Sequence, residues 1–310
     1  MTTRSAIAWL LLLPTLSSGC SVYDSREDCP QGIHVEAYSR TDCDVDTRYP
    51  AAITGLNFYL FDEQNRLVST TNRRTATRAD FTHTLDATNG LYTVVVCSDI
   101  DDRLFETATL NGGKAVIGKE DLMLRLRHQA GIAPSLGDTR IYYGESAAVH
   151  LPDPAEYGSV FRTTRVNLQE QTNRITVSVA GLARAEGYEV AIETLGGAMN
   201  YEGKVQQSER MEYPATAQVA RGVLTSSFTT MALTTGFKTM LVIRDKQTRA
   251  EIYRGDLLGT LLLKNPEVNL ACDHDFHIEF TAADRCDCGT YTMMEIRVND
   301  WLVHSYDTNL

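Results

Sequence analysis

Apolar and polar positions alternate along most of this chain, and turn residues interrupt the alternation at short intervals. That is the period of a half-buried β-strand, in which successive side chains face opposite sides. The clearest case is Leu56-Asn57-Phe58-Tyr59-Leu60-Phe61, followed by the polar turn Asp62–Asn65 and then Arg66-Leu67-Val68-Ser69, which predicts a hairpin. Gly90–Val96 is led by a glycine and rich in β-branched residues, which favour pleated surfaces. Leu122–Leu126 and Arg140–Gly144 add two further strands.

A second series starts near Thr164 with Arg165–Leu168 and continues through Asn173–Val179 and Tyr188–Glu193. Thr239–Ile243, the turn Arg244–Thr248 and Glu251–Tyr253 repeat the hairpin design, and Phe276–Phe280 and Met294–Trp301 close the series. No stretch keeps a helical period beyond about two turns. Short strands with closing turns predict an all-β protein of two tandem β-sandwich domains. Pro152, Pro154 and Gly158 cluster between the two series. They place the expected boundary there, giving an N-terminal sandwich over 31–158 and a C-terminal one over 159–310.

The amino terminus departs from this pattern. Arg4 precedes the apolar run Ala6–Leu13, Pro14 ends it, and Leu16-Ser17-Ser18-Gly19 leads into Cys20. About eight apolar residues are too few to cross a bilayer core of roughly 30 Å. A charged start, a short apolar stretch and small residues before a cut site describe a secretory signal. Cys20 makes it similar to a bacterial lipoprotein signal over 1–19, cut so that the Cys20 thiol carries a lipid; Ser17 stands where the motif usually has leucine. Residues 20–30 then form a lipidated linker, and the expected location is the outer membrane, lipid-anchored and surface-exposed. Several acyl chains on one terminus are needed for durable attachment.

Charge narrows the partners. The chain holds 29 Lys and Arg against 40 Asp and Glu; the leader takes one cation and no acid, so the mature chain stands at −12. Such a surface is repelled by nucleic acid. No nucleic-acid partner and no cofactor are expected.

Seven cysteines are present. Cys97 ends the run Val94–Cys97 and is expected to be a buried thiol. Cys29, Cys43, Cys272, Cys286 and Cys288 are candidate disulfide partners in an exported protein. Cys286 and Cys288 are too close to bridge each other comfortably. Cys272, His274, His277, Cys286 and Cys288 do not match zinc-site spacings. His274 and His277 lie three apart, so in a strand they face opposite sides; Asp273-His274-Asp275 is expected to be the turn that leads into a strand. The chain has no G-x-S-x-G elbow, no H-E-x-x-H and no P-loop, and it is not expected to be an enzyme.

Asp28-Cys29-Pro30, Gly32-Ile33-His34-Val35, the Leu56–Asp62 hairpin, Gly90-x-Tyr92, Tyr142-Tyr143-Gly144-Glu145, Asn173-Arg174-Ile175 and Val298-Asn299-Asp300-Trp301 follow one another in this order. Together with the lipoprotein cysteine they resemble the FimB/Mfa2 family of Bacteroidetes fimbrial anchor subunits. The resemblance implies two transthyretin-like sandwiches, a fimbrillin shaft subunit as partner, and a role in anchoring fimbriae and helping to end or regulate their assembly. It also implies polymerisation by strand exchange, in which main-chain hydrogen bonds give affinity and alternate side chains give specificity. Met294, Ile296, Val298 and Trp301 mark the candidate strand-exchange segment, which is otherwise the last strand of the second sandwich. Two rival functions share the architecture: a surface glycan-binding lipoprotein for nutrient uptake, and an accessory or tip adhesin.

Overall fold

The computed structural model describes residues 29–73, 82–98, 100–107, 118–263, 267–284 and 291–305. The first half of the chain forms β1 (Gly32–Tyr38), β2 (Leu56–Asp62), β3 (Leu67–Arg73), β4 (Thr82–Asp86), β5 (Gly90–Ser98), β6 (Phe105–Thr107), β7 (Leu124–Leu126), β8 (Tyr142–Glu145), β9 (Val149–Leu151), the short helix α1 (Pro154–Tyr157), β10 (Phe161–Asn167) and β11 (Gln169–Glu170). The second half forms β12 (Thr172–Ala180), β13 (Tyr188–Thr194), β14 (Ala198–Met199), β15 (Val205–Gln206), β16 (Met211–Tyr213), β17 (Thr216–Ala220), β18 (Val223–Met231), β19 (Met240–Asp245), β20 (Glu251–Asp256), α2 (Leu257–Leu262), β21 (Asp275–Asp284), β22 (Tyr291–Val298) and β23 (Trp301–Ser305). The all-β expectation is met.

In the first sandwich the sheet β10-β1-β4 packs on the sheet β11-β8-β5-β2-β3. Ile33, Val35, Leu85 and Val166 from one meet Phe58, Leu60, Val94 and Val96 from the other in a closed core. The alternate residues of the larger sheet, Tyr59, Phe61, Val95 and Cys97, are also buried, but in a different cluster. A sheet covered on both faces cannot alternate apolar with polar. This accounts for the unbroken runs at Phe58–Phe61 and Val94–Cys97.

The second cover is a small sheet of order β15-β14-β7-β6, built by both halves of the chain. Through Phe105, Leu124, Leu126 and Met199 it joins Tyr59 and Val95 to the core of the second sandwich, where Ile175, Val177, Ile278 and Phe280 are fully buried or nearly so. The second sandwich consists of the sheets β17-β18-β12-β21-β22-β23 and β16-β13-β19-β20. Each half opens with a strand held between an antiparallel and a parallel neighbour. β1 runs parallel to β10, and β12 runs parallel to β21.

The boundary expected at 158/159 is corrected by this pairing. β10 bonds to β1 along its whole length and β11 bonds to β8, so the first sandwich continues to Glu170. Pro152, Pro154 and Gly158 build a chain reversal inside that sandwich. Asp153 caps α1 by accepting from the Ala155 N–H, Pro154 sits in its first turn, and Gly158 ends it at φ 70°. Proline's fixed φ suits a helix start, and glycine tolerates the left-handed exit.

Candidate functional site

Met294, Ile296 and Val298 lie on β22, which is hydrogen-bonded to β21 on one side and β23 on the other. The segment read as one strand through Trp301 in fact breaks into a hairpin. Asn299 and Asp300 both adopt positive φ, 47° and 67°, and Val298 pairs with Trp301 across them. Two residues with positive φ are what a tight hairpin turn requires, and Asn and Asp tolerate them. The dipeptide was therefore a legible turn signal. Asn299 is pinned to β21: its N–H donates to the His277 carbonyl and its side chain accepts from the His277 N–H.

β23 is one of the two edge strands of the six-stranded sheet, β17 being the other. Val303 turns inward, whereas Trp301 and Leu302 are exposed, at 41% and 43%. An edge strand presents unpaired main-chain groups that another chain can pair with. The sequence-derived segment thus separates into an internal strand carrying Met294, Ile296 and Val298, and an edge carrying Trp301.

The joint between the halves gathers several other candidates. Cys43, in the loop after β1, is disulfide-bonded to Cys272, just before β21. Cys29 and Cys97 are buried; Cys20, Cys286 and Cys288 lie outside the described residues. Arg174 on β12 pairs with Asp275 and with Glu170 at the end of the first sandwich. Asn173 is buried; its side-chain oxygen accepts from the Leu233 N–H, and its amide approaches the Asp273 carbonyl and His274 Nδ1. The Asn173-Arg174-Ile175 motif therefore fastens the first strand of the second sandwich to the turn before β21. His277 instead faces Ser178 Oγ. Among the described residues no three metal-ligating side chains come together.

A network that the sequence did not announce covers the outer face of β13, β16, β19 and β20. Arg244 donates to Glu189 at 2.7 Å and to both oxygens of Glu212 at 2.7 and 2.9 Å, and lies 3.7 Å from Glu193. Arg254 and Arg210 also pair with Glu193, whose side chain is only 11% exposed. Burial pushes the Glu193 carboxyl up, but the guanidiniums of Arg254 and Arg210 outweigh it and hold its pKa below the ordinary 4.5. A lowered native pKa stabilises the fold above the unfolded value, and that stabilisation is lost as pH falls through the native value. Resistance of the wild type to urea should therefore fall progressively below pH 4.5, and Glu193→Gln should flatten that dependence. A variant with an unchanged acid limb would exclude Glu193 as its source.

A groove of about 960 Å³ runs between the halves beside the shared sheet. Arg125, Arg127, His128, Ile132 and Glu209 line it, with no Phe, Tyr or Trp among its lining residues. Sugar platforms use exposed rings, so this groove gives no support to glycan binding.

Comparison with known proteins extends these observations. The sequence profile of the fimbrillin-A associated anchor proteins Mfa1 and Mfa2 matches residues 26–307. The chain is 33% identical over 300 residues to the minor fimbrium anchoring subunit Mfa2 of Porphyromonas gingivalis, covering 93% of this chain and 90% of the relative. The solved structure of the P. gingivalis fimbrial anchor protein Mfa2 superposes with a TM-score of 0.81 at 32% identity, covering 90% of this chain and all of that one. A candidate polysaccharide-binding protein of Bacteroides thetaiotaomicron superposes with a TM-score of 0.73 at 16% identity, covering 89% of this chain and 98% of that one, a likeness of fold alone.

Proposed function

The chain belongs to the family of fimbrillin-A associated anchor proteins, and from that premise we propose that it holds fimbriae at the outer membrane through a lipid on Cys20 and meets the shaft by β-strand complementation with a fimbrillin. The observation that carries the reading is 33% identity to a fimbrial anchoring subunit across 93% of the chain. The lipid rests on the leader Ala6–Leu13 and the small residues before Cys20. Strand complementation finds support in the exposed edge of β23, where an added strand would satisfy main-chain groups and seat side chains against Trp301 and Leu302.

Two experiments test it. Deletion of the gene and Cys20→Ala should each release fimbriae into the medium or change their length, scored as cell-bound against shed fimbrial protein. Unchanged fimbriae in both strains would end the anchor reading, and unchanged fimbriae in Cys20→Ala alone would end the lipid mechanism. For the edge, a chain ending at Val298 should still unfold cooperatively, with a lower Tm, but lose fimbrillin in a pull-down. Undiminished binding would remove β23 from the interface.

A further inference from the structure

The strands of the first sandwich place a group of exposed apolar side chains where the chain enters it. Gln31, immediately before β1, is the hub: its amide donates to the Pro152 and Gly158 carbonyls at 3.1 and 3.0 Å, and its side-chain oxygen accepts from the Asn89 N–H at 3.1 Å. These bonds gather α1, the start of β5 and the start of β10 around the amino-terminal end of β1. That end carries Tyr157 and Phe161, which are 65% and 44% exposed, whereas Leu91 lies on the far face of the larger sheet, alternating with the inward Tyr92 and Val94. Tyr157 and Phe161 are two of the three exposed large aromatic residues among those described. Phe161 is held in place: its ring stacks on His34 at 5.2 Å and lies so close to Gly32 that a Cβ there would meet it at 3.1 Å. Packing on that side leaves the rest of the ring open to the surroundings.

The opposite end of the same strands leads elsewhere. β10 runs away from Phe161 and delivers the chain to β11 and the second sandwich, and Cys43 crosses to Cys272 beyond the far end of β1. Seven residues of strand separate the two ends by about 20 Å. Cys20 precedes Cys29 by nine positions, and a chain of that length spans at most about 30 Å when fully extended. A lipid on Cys20 therefore holds the Gln31 end within about 30 Å of the membrane, and the opposite end has no such tether.

We propose that this end, through Tyr157 and Phe161, rests in the headgroup layer of the lipid bilayer that holds Cys20. The inference depends on the lipid-anchor reading above and adds an orientation to it. Tyrosine's amphipathic ring favours the membrane–water interface, and a phenylalanine ring gains by burial at the headgroup–acyl boundary. The exposed charges nearby are Asp86, Asp153 and Glu156 against Arg162. With no cationic surplus, ring insertion and not attraction to anionic lipid is the source of contact. The second sandwich is left directed outward.

Tryptophan fluorescence tests this, because cleavage at Cys20 removes Trp9 and leaves Trp301 as the sole tryptophan. Full-length lipidated protein carrying Phe161→Trp or Tyr157→Trp, each with Trp301→Phe, is reconstituted into phosphatidylcholine–phosphatidylethanolamine vesicles. A matched set has brominated acyl chains. Both probes should shift to the blue on reconstitution and lose emission in the brominated vesicles, whereas Gln218→Trp on β17 in the same background should do neither. Vesicle flotation separates the two ideas. Protein that floats with both probes unquenched, or with Gln218→Trp quenched equally, overturns the orientation and leaves the anchor standing. Protein that does not float overturns the lipid anchor and the orientation together.

Discussion

Arg244→Ala should lower the unfolding free energy by about 3 kcal/mol, the low end of what breaking a buried ion pair costs. The Arg244 side chain is 7% exposed and faces three carboxylates from two neighbouring strands. Its removal is not felt equally by the three. Glu193 keeps Arg254 and Arg210, and Glu189 keeps Arg249. Glu212 has no other cation among the described residues and becomes an uncompensated, half-buried charge. The cost arises there, which sets the low end of the range. Urea is the proper denaturant, since guanidinium chloride would screen the ion pairs. A Tm lowered by about 6–12 °C is the equivalent thermal result. Arg244→Lys should recover little, because an ammonium lacks the planar fork that holds both Glu212 oxygens and Glu189 together. Pairing Arg244→Met with Glu212→Leu should recover much of the loss, since an apolar replacement of both partners strands no charge. If Arg244→Ala unfolds with the wild-type midpoint, the network adds nothing to stability.

The second large effect belongs to the Cys43–Cys272 disulfide, which closes a loop of 229 residues. The chain-entropy relation gives about 5 kcal/mol for a loop of this length, and measured disulfides more often give 2–4 kcal/mol. Cys43→Ser together with Cys272→Ser should therefore cost about 3–5 kcal/mol, and reduction of the wild type should reproduce it. The shared sheet and the continuous core behind it still couple the halves in the variant. Unfolding should thus remain a single transition at lower temperature. Two separated transitions would mean that the disulfide, and not the shared core, makes the halves cooperative.

Legibility in the sequence followed the distance over which each feature is decided. Strands were legible because alternation is local, and the clean pattern at Asn173–Val179 became β12 almost residue for residue. The break at Asn299-Asp300 was equally local and legible as a turn, but apolar residues on either side suggested one long strand. The boundary was misplaced for a different reason. A Pro and Gly cluster says that the chain reverses, but not whether the next strand returns to the sheet it left. β10 returns to β1, pairing Gly32 with Phe161 across the whole first sandwich. The charge network escaped notice because Glu189, Glu193, Glu212 and Arg244 come from three strands that only pairing brings together.

Period, turn chemistry and the leader are written within a few residues of each other. From them alone follow an all-β chain, a short apolar stretch ahead of Cys20 and a net negative charge. The family was also within reach, since several short motifs follow one another in one order along the chain. Tertiary structure decided what depends on residues far apart: which strand closes each sandwich, that one small sheet serves both halves, and that Cys43 bonds to Cys272. It also decided that, among the described residues, β23 stands at an edge of its sheet. Main-chain groups pair wherever the fold brings a partner, so the inner place of β22 and the exposed place of β23 are properties of the assembled sheet and of no segment alone.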